Sequence, residues 1–382
     1  VKEIQEILKA FDKAQQDGKK AALATVVHVE GSSYRRSGAR MLITDDGQLT
    51  GAISGGCLEG DALRKAQLVM TRQQSMLVTY DTMDEDDATL GVGLGCNGII
   101  QVLIEPIDTL KDNNPISFLK AVVSTRQSSV LVTLFSLENK RNPQHGTCLL
   151  IKQHQVTGAT PVFHEKITQD GINVLNNQST SFKNYISEKG AYSAFIEFIQ
   201  PPVSLVVIGA GNDVIPLVQM AGILGWETTV IDGRPNYAKK ERFTSGCQVL
   251  VAKPEEALEK LTIDDQTVFL LMTHNYNYDL SLLRVLLNKD VRYIGSLGPR
   301  KKLERMINEL AEAGTPVPEE KRSTIYGPVG LDIGAETPEE IALSILAEIK
   351  TVLSQRNGYS LRQAEAIHSR SDTRIEDVHI KS

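Results

Sequence analysis

Two cysteines set among glycines are the residues of this chain best suited to chemistry: Cys57 in GAISGGCLEG and Cys96 in GVGLGCNGII. Gly55 and Gly56 precede the first sulfur, and Gly95 and Gly98 bracket the second, so side-chain bulk is missing where a ligand would approach. A packing cysteine sits within an apolar run, whereas these two sit in turns. A thiol so placed suits a nucleophile or a soft-metal ligand, and just ahead of a helix its thiolate is favoured by the dipole. Cys148 and Cys247 fall in or near apolar strands and read as inert packing. The cysteines form no CxxC pair and the histidines no HxxxH or HxH spacing, which argues against a structural zinc. The acidic run DTMDEDD (81–87) lacks the glycine and terminal glutamate of a calcium loop and reads as a solvated turn.

A second constellation lies in the back half. Gly209-Ala210-Gly211 follows the apolar run SLVVI and opens a helix, where backbone N–H groups and the helix dipole would face a phosphate. Asp232 closes the next strand, the position of a ribose-binding carboxylate in dinucleotide folds, and Arg234 could meet an extra phosphate. Val214 replaces the third glycine of G-x-G-x-x-G and keeps the helix farther from the strand, which speaks against ordinary NAD-type binding. His274 in MTHN and Gly295 in YIGSLG end two further strands. Ligands of open α/β sheets sit beyond such ends, so both join Gly209, Gly211 and Asn212 as candidates. GxSxG, Walker and kinase signatures are absent.

Periodicity supplies the elements that must position these groups. Ile4, Ile7, Leu8 and Phe11 repeat at helical spacing, and Gly18 can end that helix. Strands fit Ala21–Val29, Arg40–Thr44, Leu49–Ser54, Met76–Tyr80, Ile99–Glu105, Ser129–Phe135 and Cys148–Lys152, with a helix over Cys57–Arg72. Residues 1–152 thus read as a mixed α+β domain. Residues 153–200 are weakly patterned and are expected to be a connector and the end of that domain; Pro201–Pro202 marks the boundary. Over 201–355, continuously apolar strands alternate with helices, the pattern of a doubly wound parallel sheet. Thr337-Pro338-Glu339-Glu340 caps its last helix, and the tail 356–382 is expected to be loosely held.

A length of 382 residues suits two domains, and a net charge of −6 argues against a nucleic-acid surface. No apolar run approaches the ~18 residues of a membrane span, and no signal core opens the chain. These features read as a cytoplasmic protein with no nucleic-acid or membrane partner.

Taken in order, GSSYRRSGARML, GAISGGCLEGD, LGCNGIIQVLIEP, VVIGAGNDVIPL, VIDGRP, MTHNYNYD, YIGSLGPRKK and GPVGLDIGAETPEEIALSILAEI give this chain a resemblance that runs over most of its length. It resembles the XdhC/CoxI family, accessory factors for maturing xanthine dehydrogenase and related molybdenum hydroxylases. That resemblance implies an N-terminal mixed α+β XdhC/CoxI domain followed by a Rossmann-like domain, in a cytoplasmic homodimer. It implies a chaperone-like maturation factor more than a turnover enzyme. Such a factor binds molybdenum cofactor (molybdopterin), protects it during sulfuration, with a cysteine desulfurase as a further partner, and passes it to an apo molybdenum hydroxylase. Cys57 carries over as the candidate molybdenum thiolate, with Ser54, Gly55, Gly56 and Glu59 beside it, Arg35, Arg36 and Arg40 ahead of it, and Cys96 as a second thiol. The chain departs from the family at Asn212, where histidine is common, and at Asn97, where glycine is common. The residues also leave open a second reading, an oxidoreductase holding NAD(P) or another nucleotide in the crevice of the second domain.

Overall fold

In the computed structural model, residues 1–31, 33–81, 98–140, 142, 144–153, 155–188, 190–244, 246–253, 256, 258–363 and 375–380 are described. The chain divides into two units, Val1–Pro201 with Glu365–Ser382, and Pro202–Ala364. The first begins with helix α1 (Lys2–Gln16), whose stripe of Ile4, Ile7, Leu8 and Phe11 is buried as its spacing predicts. An antiparallel sheet follows, built from β1 (Ala21–Gly31), β2 (Arg40–Thr44), β3 (Leu49–Gly51), β4 (Met76–Asp81) and β5 (Gly98–Pro106), in the order β3-β2-β1-β5-β4. Helix α2 (Glu59–Arg72) covers one face. Its Ala62 and Ala66 are small enough to let it settle onto Ala24, Val26, Met41 and Val102.

The other face meets a second sheet. Val27, Leu77 and Leu103 of the first sheet pack against Phe135, Phe182 and Phe195 of the second, and the Phe182 and Phe195 rings stack at 4.8 Å. The second sheet orders as β17-β9-β10-β6-β7-β8, from β6 (Ser129–Phe135), β7 (Gly146–Lys152), β8 (Gln155–Gly158), β9 (Ser181–Ser187), β10 (Gly190–Ile199) and β17 (Ile375–His379). Helix α3 (Pro115–Val123) joins α1 in a shared apolar cluster, and α4 (His164–Asn177) packs on the second sheet.

Two expectations change here. The stretch 153–200 is no mere connector: it supplies β8, α4, β9 and β10. Its hydropathy is weak because α4 docks partly through a polar anchor, buried Asp170, which accepts Tyr185 Oη–H at 2.8 Å and pairs with Lys183 at 3.2 Å. Part of the tail 356–382 is likewise held in place. Strand β17 pairs parallel with β9, and its Glu376 meets Lys183 at 3.0 Å.

The second unit is an all-parallel sheet ordered β13-β12-β11-β14-β15-β16. Its strands are β11 (Ser204–Ile208), β12 (Glu227–Asp232), β13 (Gln248–Val251), β14 (Thr267–Leu271), β15 (Ile294–Ser296) and β16 (Ile325–Tyr326). Apolar clusters lie on both faces, so the strands are apolar without alternation. Helix α5 (Val214–Ile223) and the C-terminal helix Pro338–Leu353 pack on one face. Tyr276–Leu286 and Arg300–Glu312 pack on the other. The strand order reverses between β11 and β14, the switch point where such sheets bind ligands. No helix among the described residues is long and apolar enough to cross a membrane.

Candidate functional site

Cys57 stands in the turn between β3 and α2 as a free, half-buried thiol. The turn is built around one hydroxyl. Ser54 Oγ accepts the N–H groups of Gly56 and Leu58, each at 3.1 Å, and the Cys57 Sγ–H at 3.4 Å. That hydroxyl donates to Glu59 Oε2, which also accepts Leu58 N–H at 3.1 Å, while Oε1 accepts Ser54 N–H at 2.9 Å. Ser54 and Glu59 therefore close a ring of hydrogen bonds under the sulfur, and Glu59 also places a negative charge at the start of α2. Gly56 has φ +115°, a conformation side chains rarely adopt, and a Cβ on Gly55 would lie 3.5 Å from the Tyr34 ring. The turn thus requires glycine at 56, and the two glycines keep side-chain bulk off the N-terminal side of the thiol.

The other described cysteines are poor nucleophiles. Burial pushes the Cys148 thiol up to about 12, and burial likewise raises Cys247. Cys96 and Asn97 lie outside the described residues, as do positions 82–87 of the acidic run.

The arginines take up different posts. Arg40 is 3% exposed and pairs with Glu197 of β10, a contact that joins the two sheets of the first unit. Arg40 is therefore a seam residue, and with Glu197 it also borders an open hollow. Arg35 pairs with Glu3 of α1. Arg35 and exposed Arg36 line an open hollow of about 500 Å³ together with Tyr34. Tyr34 also covers Gly55, so this one ring touches both the hollow and the thiol turn. Hydropathy carried no sign of Tyr34, which is 69% exposed.

In the second unit, Gly209 has φ +115°, and a Cβ there would collide with the Met272 carbonyl of the neighbouring strand end. This glycine lets β11 and β14 close up at the switch point. Asp232 accepts Ala210 N–H at 2.9 Å and is clasped by Arg234. Burial opposes its ionisation, but Arg234 and the two backbone donors hold its carboxyl below the usual range. Asn212 Oδ1 accepts from Arg242 at 2.8 Å. His274 has φ +54°, is mostly exposed, and places Nε2 3.2 Å from Asp213 Oδ2 above Gly211. The structure thus gathers Gly209, Gly211, Asn212, Asp232, Arg234 and His274 at one end of the parallel sheet. Gly295 does not join them. It lies within β15, where a Cβ would meet Leu270 and Val329 at 2.6 and 2.7 Å, so its role is packing.

The crevice also holds groups not named among the candidate ligand residues, among them Asp279 of the MTHNYNYD motif and Lys302 of YIGSLGPRKK. Buried Asp279 pairs with Lys302 at 2.6 Å and accepts the Thr273 hydroxyl at 2.7 Å, while Lys302 reaches Leu297 O at 2.9 Å. This pair ties together the loops that follow β14 and β15. Arg242 and Tyr237 sit beside the glycine loop, signalled in sequence only by the basic run RPNYAKKER.

A Rossmann-type unit joined to a glycine-flanked thiol unit defines a class, and the chain belongs to the XdhC and CoxI family. That family's profile matches residues 14–81, and the profile of the XdhC Rossmann domain matches residues 205–349. Among particular relatives, the chain is 32% identical over 343 residues to a Bacillus subtilis (strain 168) protein named as a probable xanthine dehydrogenase subunit, covering 89% of this chain and 95% of that one. It is 24% identical over 346 residues to the molybdenum cofactor insertion chaperone PaoD of Escherichia coli (strain K12), covering 91% and 87% respectively. The crystal structure of a xanthine dehydrogenase from Bacillus halodurans matches with a TM-score of 0.73 at 33% identity, covering 95% of this chain and 99% of that one.

Proposed function

We propose that this protein is a maturation factor that binds molybdenum cofactor through Cys57 and delivers it to an apo molybdenum hydroxylase of the xanthine dehydrogenase type. The observation that carries the proposal is the Cys57 turn: a half-buried thiol fixed by Ser54 and Glu59, with glycines where neighbouring side chains would stand. Molybdenum bound by a dithiolene is soft enough to take a thiolate as a further ligand. The adjacent hollow suits the rest of the cargo, with Tyr34 offering a ring face to a pterin and Arg36 a cation to its phosphate. The name of one relative, a molybdenum cofactor insertion chaperone, supports the same role. On this reading a sulfuration step would bring in a cysteine desulfurase, and the carrier form is a homodimer. The test is reconstitution: cofactor-loaded wild-type protein should activate a purified apo-hydroxylase of the xanthine dehydrogenase type. Cys57→Ala should bind and transfer less than about a tenth as much cofactor. Full transfer by that variant would remove Cys57 from the account.

A further inference from the structure

The loop after β12, RPNYAKKER (234–242), carries Arg234, Lys239, Lys240 and Arg242 against a single carboxylate, Glu241, in a chain whose net charge is −6. It leaves the carboxyl end of the strand beside β11, the place from which doubly wound sheets read the ribose of a nucleotide. Recognition of an unmodified ribose there needs a carboxylate with lone pairs to spare for its hydroxyls. Asp232 has none to spare. Its Oδ1 accepts Arg234 N–H at 2.8 Å and Nε–H at 3.0 Å, and its Oδ2 accepts Ala210 N–H at 2.9 Å and Arg234 Nη2–H at 2.8 Å. A ribose diol would have to break a bidentate ion pair whose carboxylate is 4% exposed.

What the loop presents outward is donors. The Arg234 side chain is 51% exposed and its guanidinium stacks 4.0 Å over the Tyr237 ring. Arg242 approaches that ring at 5.7 Å and is fixed by Ala210 O and Tyr237 O, each at 2.6 Å. Lys239 and Lys240 are exposed beside them. Two oriented guanidiniums and two flanking ammoniums suit the dianion of a phosphomonoester. The neighbouring helix start behaves differently. Asp213 places its own carboxylate over Gly211, so a second anion at the usual pyrophosphate position meets like charge. Anion affinity is therefore concentrated at the ribose end.

We infer that the 234–242 loop binds the phosphate of a 2′-phosphorylated nucleotide, the NADP class, and selects it over the unphosphorylated form. This selection belongs to the second unit alone and stands whether or not Cys57 holds cofactor. Calorimetric titration of the full chain with 2′,5′-ADP and 5′-AMP, and with NADPH and NADH, tests it. The phosphorylated member of each pair should bind at least about tenfold tighter, with an advantage that shrinks as salt rises. Arg234→Ala should abolish the preference. Because that change also disturbs Asp232, the surface pair Lys239→Ala/Lys240→Ala is measured alongside, with thermal melting as the control for folding. It should weaken 2′,5′-ADP while leaving 5′-AMP unchanged. Equal affinities within each pair, no binding of the phosphorylated members up to roughly millimolar concentration, or a preference intact in both variants would overturn the inference. So would displacement of 2′,5′-ADP by an equal concentration of inorganic phosphate, which would mark a general anion site.

Discussion

Replacing Glu197 by glutamine should open the seam between the two sheets of the first unit. Arg40 Nη1 donates to Glu197 Oε1 at 3.2 Å and to Gly38 O at 2.9 Å, Nη2 bonds Glu197 Oε2, and Arg40 N–H reaches Glu3 Oε1 at 2.8 Å. The side chains are 3% and 14% exposed, so solvent does little to replace a lost partner. Breaking a buried ion pair from one side costs about 3–5 kcal/mol. Glutamine keeps one acceptor and Glu3 keeps a negative charge nearby, so the lower end, about 3 kcal/mol, applies. A chain of two units does not unfold in one step, so hydrogen exchange of the β2 and β10 amides is the suitable assay. Their protection should fall by about a hundredfold in Glu197→Gln. Arg40→Met/Glu197→Leu, which removes both charges, should recover most of it. Unaltered protection in the single variant, or no recovery in the double variant, would refute the assignment of Arg40 to the seam.

His28 gives a pH dependence whose sign follows from its position on β1. Burial lowers its pKa from 6.5, against the pull of Glu30, and its Nδ1 lacks a hydrogen bond. Well above 6.5 the imidazole is neutral in both states and contributes no slope; as pH falls toward and through that value the unfolded chain takes up a proton that the folded chain resists. Stability should thus drop on acidification, and His28→Leu should flatten the drop in urea midpoints measured between about pH 7 and about pH 5.5. In the second unit, Lys302→Met strands the Asp279 carboxylate, which has no exposure, and should cost about 3–5 kcal/mol. Hydrogen exchange in β14 and β15 reads that loss, and Asp279→Asn/Lys302→Met should restore part of it; equal exchange in all three proteins would contradict a load shared by this pair.

Much of the framework was legible because its signals are local. The α1 stripe, the β2 and β6 boundaries and the β11 glycine turn follow from periodicity and turn chemistry alone. The pieces that escaped depend on partners far away in sequence. Helix α4 is anchored by Asp170 to Tyr185, and β17 takes its place from β9, neither of which leaves an apolar pattern. The same distinction runs through the sites. Cys57, Ser54 and Glu59 lie within six residues and announced themselves as a motif, and Arg234 was visible two residues after Asp232. The seam role of Arg40 was not legible because its buried partner, Glu197, lies 157 positions away. Gly295 misled because a glycine at a strand end serves close packing as readily as ligand approach.

X-ray absorption at the molybdenum edge addresses the central claim, that the Cys57 sulfur is a ligand of the cargo. Cofactor-loaded wild-type protein should show one more sulfur neighbour at bonding distance than the same cofactor on Cys57→Ser, with an oxygen or nitrogen scatterer in its place. Identical sulfur shells in the two proteins would contradict it.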